Sequence, residues 1–173
     1  MSGQPETYAL DANAFIQAKR RFYGFSFCPG YWDALIWHRQ QGRLCSVDKI
    51  QEELKKGADD LWDWVTTDFG DDAFATTADP AVTNAYGQML TWVMAQPQFH
   101  DTAKMEFQAV ADGWLSAYAK AKGKVVVTLE EYDPVIRKKV PLPNVCRAFD
   151  VAWITPFEML RRLDVRLSWN PPA

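Results

Sequence analysis

Short apolar runs alternate with helical periodicity along this chain, and that alternation leaves few folds open. Tyr8-Ala9-Leu10, Leu44-Cys45-Ser46-Val47, Lys124-Val125-Val126-Val127-Thr128 and Val151-Ala152-Trp153-Ile154 have strand character. Each is too apolar for a sheet with one wet face. The segments between them repeat apolar residues at helical spacing. Strands buried on both sides and joined by helices predict an α/β fold with a central parallel sheet in three layers, α/β/α. In such sheets ligands bind outside the carboxyl ends of the strands, so the residues that follow each strand are the place to look for chemistry.

The pattern divides as follows. Ala14 to Arg21 reads as one or two helical turns after the first strand, and Trp32 to Arg39 as a helix closed by Gly42. Lys49 to Lys56 is a further helix, with Ser46 or Asp48 as its cap. From Asp59 to about Gln108 the periodicity is helical throughout, interrupted by the acidic loop Asp68 to Asp79, so residues 59–108 are expected to form a helical insertion in one domain spanning 1–173. Met105 to Lys122 predicts one more helix, ended by Gly123; Pro134 to Pro143 predicts a basic loop; Phe157 to Leu163 predicts a closing helix capped by Thr155. The eight tryptophans fall mostly on core stripes, with Trp62 and Trp64 the two expected outside.

Composition excludes several classes. With 48% hydrophobic and 24% charged residues the chain has a core to bury and is neither disordered nor fibrous. The net charge of -3 gives no overall basic field, yet residues 1–119 hold 9 basic and 16 acidic side chains and residues 120–173 hold 10 and 6, so a polyanion would meet the C-terminal third first. No run of 18 apolar residues suggests a membrane span, and no basic, apolar leader opens the chain, so a soluble cytoplasmic protein without a membrane partner is expected. Cys28, Cys45 and Cys146 share no CxxC or Cys/His spacing and read as buried free thiols. Glycine-rich phosphate loops are absent. His38 and His100 stand near no nucleophile motif and read as structural.

Acids stand at the informative positions. Asp11 follows the first strand, with Asn13 beyond it; Glu130 and Glu131 follow Val125-Val126-Val127-Thr128; Glu53 lies on the helix after the second strand; Asp112 sits among Ala111, Trp114, Leu115 and Tyr118, with Ser116 one turn on. Taken singly, Asp11 reads equally as a helix cap, Glu53 as a solvated face, and the run Arg137-Lys138-Lys139 as surface charge. Asp112 is harder to dismiss, because Asp has poor propensity for the interior of a helix. If Asp11, Glu53, Asp112 and Glu130 converge, four ionised carboxylates repel unless a cation offsets them, and hard oxygen donors suit Mg²⁺ or Mn²⁺.

These residues also resemble a known family. Tyr8-Ala9-Leu10-Asp11-Ala12-Asn13-Ala14-Phe15-Ile16 resembles the opening signature of PIN-domain ribonucleases of the VapC toxin type. Val47 to Leu54 resembles the second motif with its acid at Glu53 and Glu52 as the fallback; Ala109 to Ala119 resembles the third, with Asp112; Val125 to Glu130 resembles the fourth, with Glu in place of Asp or Asn. The ending Lys139-Val140-Pro141-Leu142-Pro143-Asn144-Val145-Cys146 is similar to a PIN-like toxin subset. The resemblance implies a PIN-like fold and a Mg²⁺- or Mn²⁺-dependent endoribonuclease, the toxin of a bacterial toxin–antitoxin pair. Asp11, Glu53, Asp112 and Glu130 would then be the catalytic metal ligands that activate water. Asn13, Ser116, Thr128, Arg137, Lys138 and Lys139 are expected on the substrate side. The implied partners are RNA, an antitoxin that occludes the acidic pocket, and a second copy in a homodimer.

Two rival functions compete with this. A PIN scaffold with a degenerate metal site would be a non-catalytic RNA- or protein-binding module, but all four positions carry acids here. A phosphatase of the haloacid-dehalogenase type needs a second Asp two residues after the first, and Asn13 stands there.

Overall fold

A computed structural model describes residues 3–172. Its centre is β1 (Tyr8–Leu10), three fully buried residues. The chain continues through α1 (Ala12–Gln17), extended by a π-helical turn to Phe22, then α2 (Pro29–Gln40), β2 (Leu44–Val47) and α3 (Asp48–Lys55). After α4 (Asp60–Trp64) and a second wide turn come β3 (Phe74–Ala75), α5 (Pro80–Ala95), α6 (Asp101–Ala109) and α7 (Asp112–Lys122). β4 (Val125–Val127), α8 (Leu142–Ala148), β5 (Trp153–Ile154) and α9 (Pro156–Arg162) complete it.

The five strands form one parallel sheet in the order β3-β2-β1-β4-β5, flanked by helices as the apolar strands require. From β1 the chain builds outward through β2 to β3, then returns to place β4 on the other side of β1. The strand order therefore reverses between β1 and β4, the position at which open parallel sheets leave a crevice at their carboxyl edge. Register sharpens this. Leu10 pairs with Val127, so the next residues, Asp11 and Thr128, come side by side at the edge of that crevice.

One core runs through the molecule. α7 lies against β1, β2 and β4, and α5 packs along α7. Phe15, Trp64, Phe69 and Phe74 form an aromatic cluster, with ring centroids of Phe15 and Phe69 5.5 Å apart. Gly123, at φ +64°, ends α7 in the left-handed conformation that favours glycine, and its N–H donates to the carbonyl of Ala119.

The structure departs from the sequence reading in four places. The segment 59–108 is mostly helical but contains β3, which Asp48 secures by accepting hydrogen bonds from Thr77 N–H (3.0 Å) and Thr77 Oγ1 (2.8 Å). With β3 in the sheet and α5 on α7, the segment packs into the core, as its apolar stripes require. Residues 105–122 are two helices, broken at Val110–Ala111. Residues 142–148 form a helix, α8, where proline had suggested loop; Pro143 sits in the first turn, which tolerates a missing N–H. Trp64 is buried against Trp32 and Phe69, Trp62 is half-buried, and the exposed indoles are Trp37 and Trp169. Cys146 is buried and Cys28 and Cys45 half-buried, all as free thiols. No helix among the described residues is long and apolar enough to cross a membrane.

Candidate active site

Asp11 is the first side chain past β1 and is only 2% exposed. Its N–H donates to Val127 O at 2.9 Å, which fixes the backbone against β4. Thr128 Oγ1 donates to Asp11 Oδ2 at 2.9 Å and accepts the N–H of Glu130 at 3.1 Å, so one buried hydroxyl ties the first acid to the loop carrying the fourth. Burial pushes the Asp11 carboxyl up to about 7; the Thr128 hydrogen bond opposes this, and the charges of Glu130 and Glu53 add to it. Thr128 is itself buried, so it orients Asp11 and does not reach substrate.

Asp112 is the first residue of α7, not a residue of a helix interior. The break after α6 turns the chain at Val110–Ala111 and sets the carboxylate at a helix N-terminus, where a negative charge is favourable. Gly113 permits the close approach: a Cβ there would stand 2.9 Å from ring carbons of both Phe107 and Tyr86. Burial, then the charges of Asp11 and Glu130, push Asp112 up to about 8, with Lys139 pulling the other way and Glu53 adding a smaller push. Ser116 donates to the backbone carbonyl of Asp112 at 3.1 Å and is fully buried beside Cys146, so its expected contact with substrate is corrected to a structural role within α7.

The second acid is Glu53. α3 buries Ile50 and Leu54, which leaves Glu53 half-buried at the inner border of the helix, and burial raises its pKa. Glu52 is exposed and pairs with Lys49 at 3.1 Å.

Glu130 is the most committed of the four. Its Oε2 accepts the backbone N–H of Leu142, at the start of α8, at 2.8 Å, and its Oε1 takes an ion pair from Lys139. Burial works against the Lys139 ammonium, but Glu130, with Asp112 and Asp11 behind it, raises its pKa instead. The loop that delivers these groups is pinned by Asn144, whose side-chain amide donates to Asp133 O at 2.7 Å and accepts Asp133 N–H at 3.1 Å. Glu131 is exposed and outside the cluster.

These groups meet in a cleft of about 140 Å³ lined by Asn13, Glu53, Asp112, Glu130 and Lys139, with Phe107 and Val110 on its apolar side. Asp11 lies buried next to this cleft, tied to Glu130 through the Thr128 hydroxyl. Of the three basic residues expected to grip phosphate, only Lys139 lines the cleft; Arg137 and Lys138 are exposed and line none of it. Among the described residues no three His, Cys, Asp or Glu side chains stand as a ready-made metal cage. The cation beside these acids is the Lys139 ammonium, ion-paired with Glu130.

The donors nonetheless suit a hard divalent ion in kind: carboxylate oxygens only, with two acids driven toward their protonated forms by burial and mutual repulsion. Sequence reasoning missed the Leu142 N–H, the Asn144 clamp and the ion-pair role of Lys139. The run Pro141-Leu142-Pro143-Asn144, a helix start with proline in its first turn, was the available signal.

A family model described as "Domain of unknown function (DUF4411)" matches residues 8–167, a span that holds every residue of this site. No curated protein and no solved structure matches the chain.

Proposed function

The chain belongs to the DUF4411 family, whose description states no activity, and from the site itself we propose that it is a metal-dependent endoribonuclease of PIN-like type, the toxin of a bacterial toxin–antitoxin pair. One observation carries the reading. Three acids far apart in sequence, Glu53, Asp112 and Glu130, line one small crevice at the sheet's switch point with Asp11 buried beside it, and Asp11 and Asp112 are both held far above the usual carboxylate range. Burying like charges together is expensive unless a cation joins them, and natural chains keep such arrangements mainly where they function.

On this reading Asp11 and Asp112 would hold Mg²⁺ or Mn²⁺ together with Glu53 and Glu130, the last also accepting the N–H of Leu142. When bound, such an ion lowers the pKa of water and offsets negative charge gathering on a phosphodiester. The chain's own residues do the rest. Thr128 aims Asp11, the N-terminus of α7 supports Asp112, and the Asn13 amide borders the cleft where a phosphate oxygen would lie. Lys139 is placed to exchange Glu130 for a phosphate and so to screen the incoming polyanion. The antitoxin would cover this crevice, and the cytoplasm would be its setting.

A second reading rests on that same ion pair. If Lys139 is a permanent counter-ion, the crevice needs no metal and the chain is a binding module. The two readings separate in one assay: purified chain with single-stranded RNA in Mn²⁺ or in EDTA. Cleavage that appears with Mn²⁺ and vanishes with EDTA is expected. RNA bound but never cut in any divalent metal favours the binding module, and cleavage of DNA in preference to RNA would change the substrate class.

A further inference from the structure

A second cleft of about 280 Å³ opens beside the acidic one and is lined by Lys49, Glu52, Glu53, Lys56, Gln108 and Trp114, among others. Glu53 and Val110 border both clefts, so the two form one continuous depression with the carboxylates at one end. We propose that this second cleft is a subsite for an unpaired nucleotide next to the phosphate being cut, with its base on Trp114 and its phosphate toward Lys49 and Lys56. The inference rests on the nuclease reading and adds to it where the RNA strand runs and why it must be single-stranded.

The aromatic platform is already built. Trp114 and Tyr86 are stacked face to face, with centroids 3.8 Å apart and planes within 5°, and Tyr86 is held in turn by a hydrogen bond from its hydroxyl to Gln108 O at 3.4 Å. Trp114 is half-buried, so the indole is fixed by packing yet borders the cleft. A rigid aromatic surface with a border open to solvent is the element on which unpaired bases stack, whatever their sequence. Gln108 adds exposed amide groups at the rim.

The cleft also carries a cation for a phosphate. Lys49 stands in the first turn of α3 and Lys56 at its C-terminal cap, about two turns along one face, and both line the cleft. Among the described residues Lys56 has no carboxylate within ion-pair distance, whereas Lys49 pairs with Glu52, which lines the same cleft. The two ammonium groups face two carboxylates, Glu52 and Glu53, in the same lining, and Lys56 is the group left to meet a phosphate beside the acids of the adjoining cleft. A duplex keeps its bases stacked inside and cannot offer one to Trp114.

The test is binding of a short fluorescent single-stranded RNA to the full chain in EDTA, read by anisotropy, with the matching duplex as control. Trp114→Ala is expected to weaken single-strand binding about tenfold or more, Trp114→Phe to retain most of it, and neither to change duplex binding. Lys49→Ala/Lys56→Ala, at solvent-facing positions that do not threaten the fold, is expected to weaken binding and to flatten the slope of its salt dependence by roughly 0.7 for each phosphate no longer neutralised. The Mn²⁺-induced rise in melting temperature should be the same in all three variants. Variants that bind and cut like wild type, while wild type cleaves, would overturn the subsite and leave the nuclease reading standing. A wild-type chain that neither binds nor cuts RNA would overturn both.

Discussion

Asp11→Asn and Asp112→Asn should each lower Mn²⁺-dependent RNA cleavage by more than about 100-fold, beyond the range seen when only a partner of a metal ligand is lost. Each variant keeps the shape of the side chain and removes its charge. In Asp11→Asn the amide oxygen can still accept the Thr128 hydroxyl, which donates to Asp11 Oδ2 at 2.9 Å in the wild type, so the edge of β1 and β4 stays together. Loss of cleavage should come with a rise in melting temperature of the metal-free protein at pH 8, because a buried carboxylate that repels three others has been neutralised. Glu131→Gln, at an exposed position outside the cleft, should leave both quantities unchanged. Cleavage kept in either Asn variant, with contaminating nuclease excluded, would remove that acid from the site.

The pH dependence should be just as distinctive. Asp11 stands near 7 and Asp112 near 8 in the folded chain, against roughly 4 in the unfolded one. Between those values the native state holds protons that the unfolded state has released. The stability these two groups contribute is therefore present at acid pH and lost as pH rises through about 7 to 8. Both acids act in the same direction, lowering the stability of the metal-free protein as pH rises. The metal-free protein should accordingly melt lower at pH 8.5 than at pH 6. Mn²⁺ should reverse the trend, since it competes with those protons: its affinity should rise about tenfold or more per pH unit between 6 and 8. Thermal melts across pH, with and without Mn²⁺, measure both. A melting temperature that climbs from pH 6 to 8.5 without metal would show that neither acid is buried as described.

How much of this was legible in the sequence depended on how local each signal was. The run Tyr8-Ala9-Leu10 followed by Asp11 needed only its own residues, because a short apolar run ending in an acid reads as a buried strand with the acid at the sheet's carboxyl edge. Glu53, with Glu52 as the fallback, came from the resemblance of Val47 to Leu54 to the second motif; the structure separates the two because Ile50 and Leu54 define the inner face of α3 and Glu52 is exposed. Asp112 was singled out for a reason the structure replaces. The break at Val110–Ala111 carries no glycine or proline, so two helices read as one, and the acid's poor propensity for a helix interior is in fact an acid's preference for a helix start. β3 escaped because two residues, Phe74–Ala75, show no period; they are a strand only because β2 offers an edge and Asp48 holds Thr77. The basic run Arg137-Lys138-Lys139 is three equal charges in sequence. Only the loop geometry set by Asp133 and Asn144 turns one of them, Lys139, toward the acids.

That inward turn of Lys139 makes metal binding the decisive question, and titration of free Mn²⁺ by its electron paramagnetic resonance signal at pH 8 answers it directly. If the four carboxylates form a metal site, wild type should remove Mn²⁺ from the free pool, Lys139→Met should do so at lower concentration because the competing ammonium is gone, and Asp11→Asn should leave the signal at its protein-free level. Equal Mn²⁺ uptake by wild type and Asp11→Asn, or none by wild type and Lys139→Met alike, would contradict the assignment of this crevice as a metal-dependent active site.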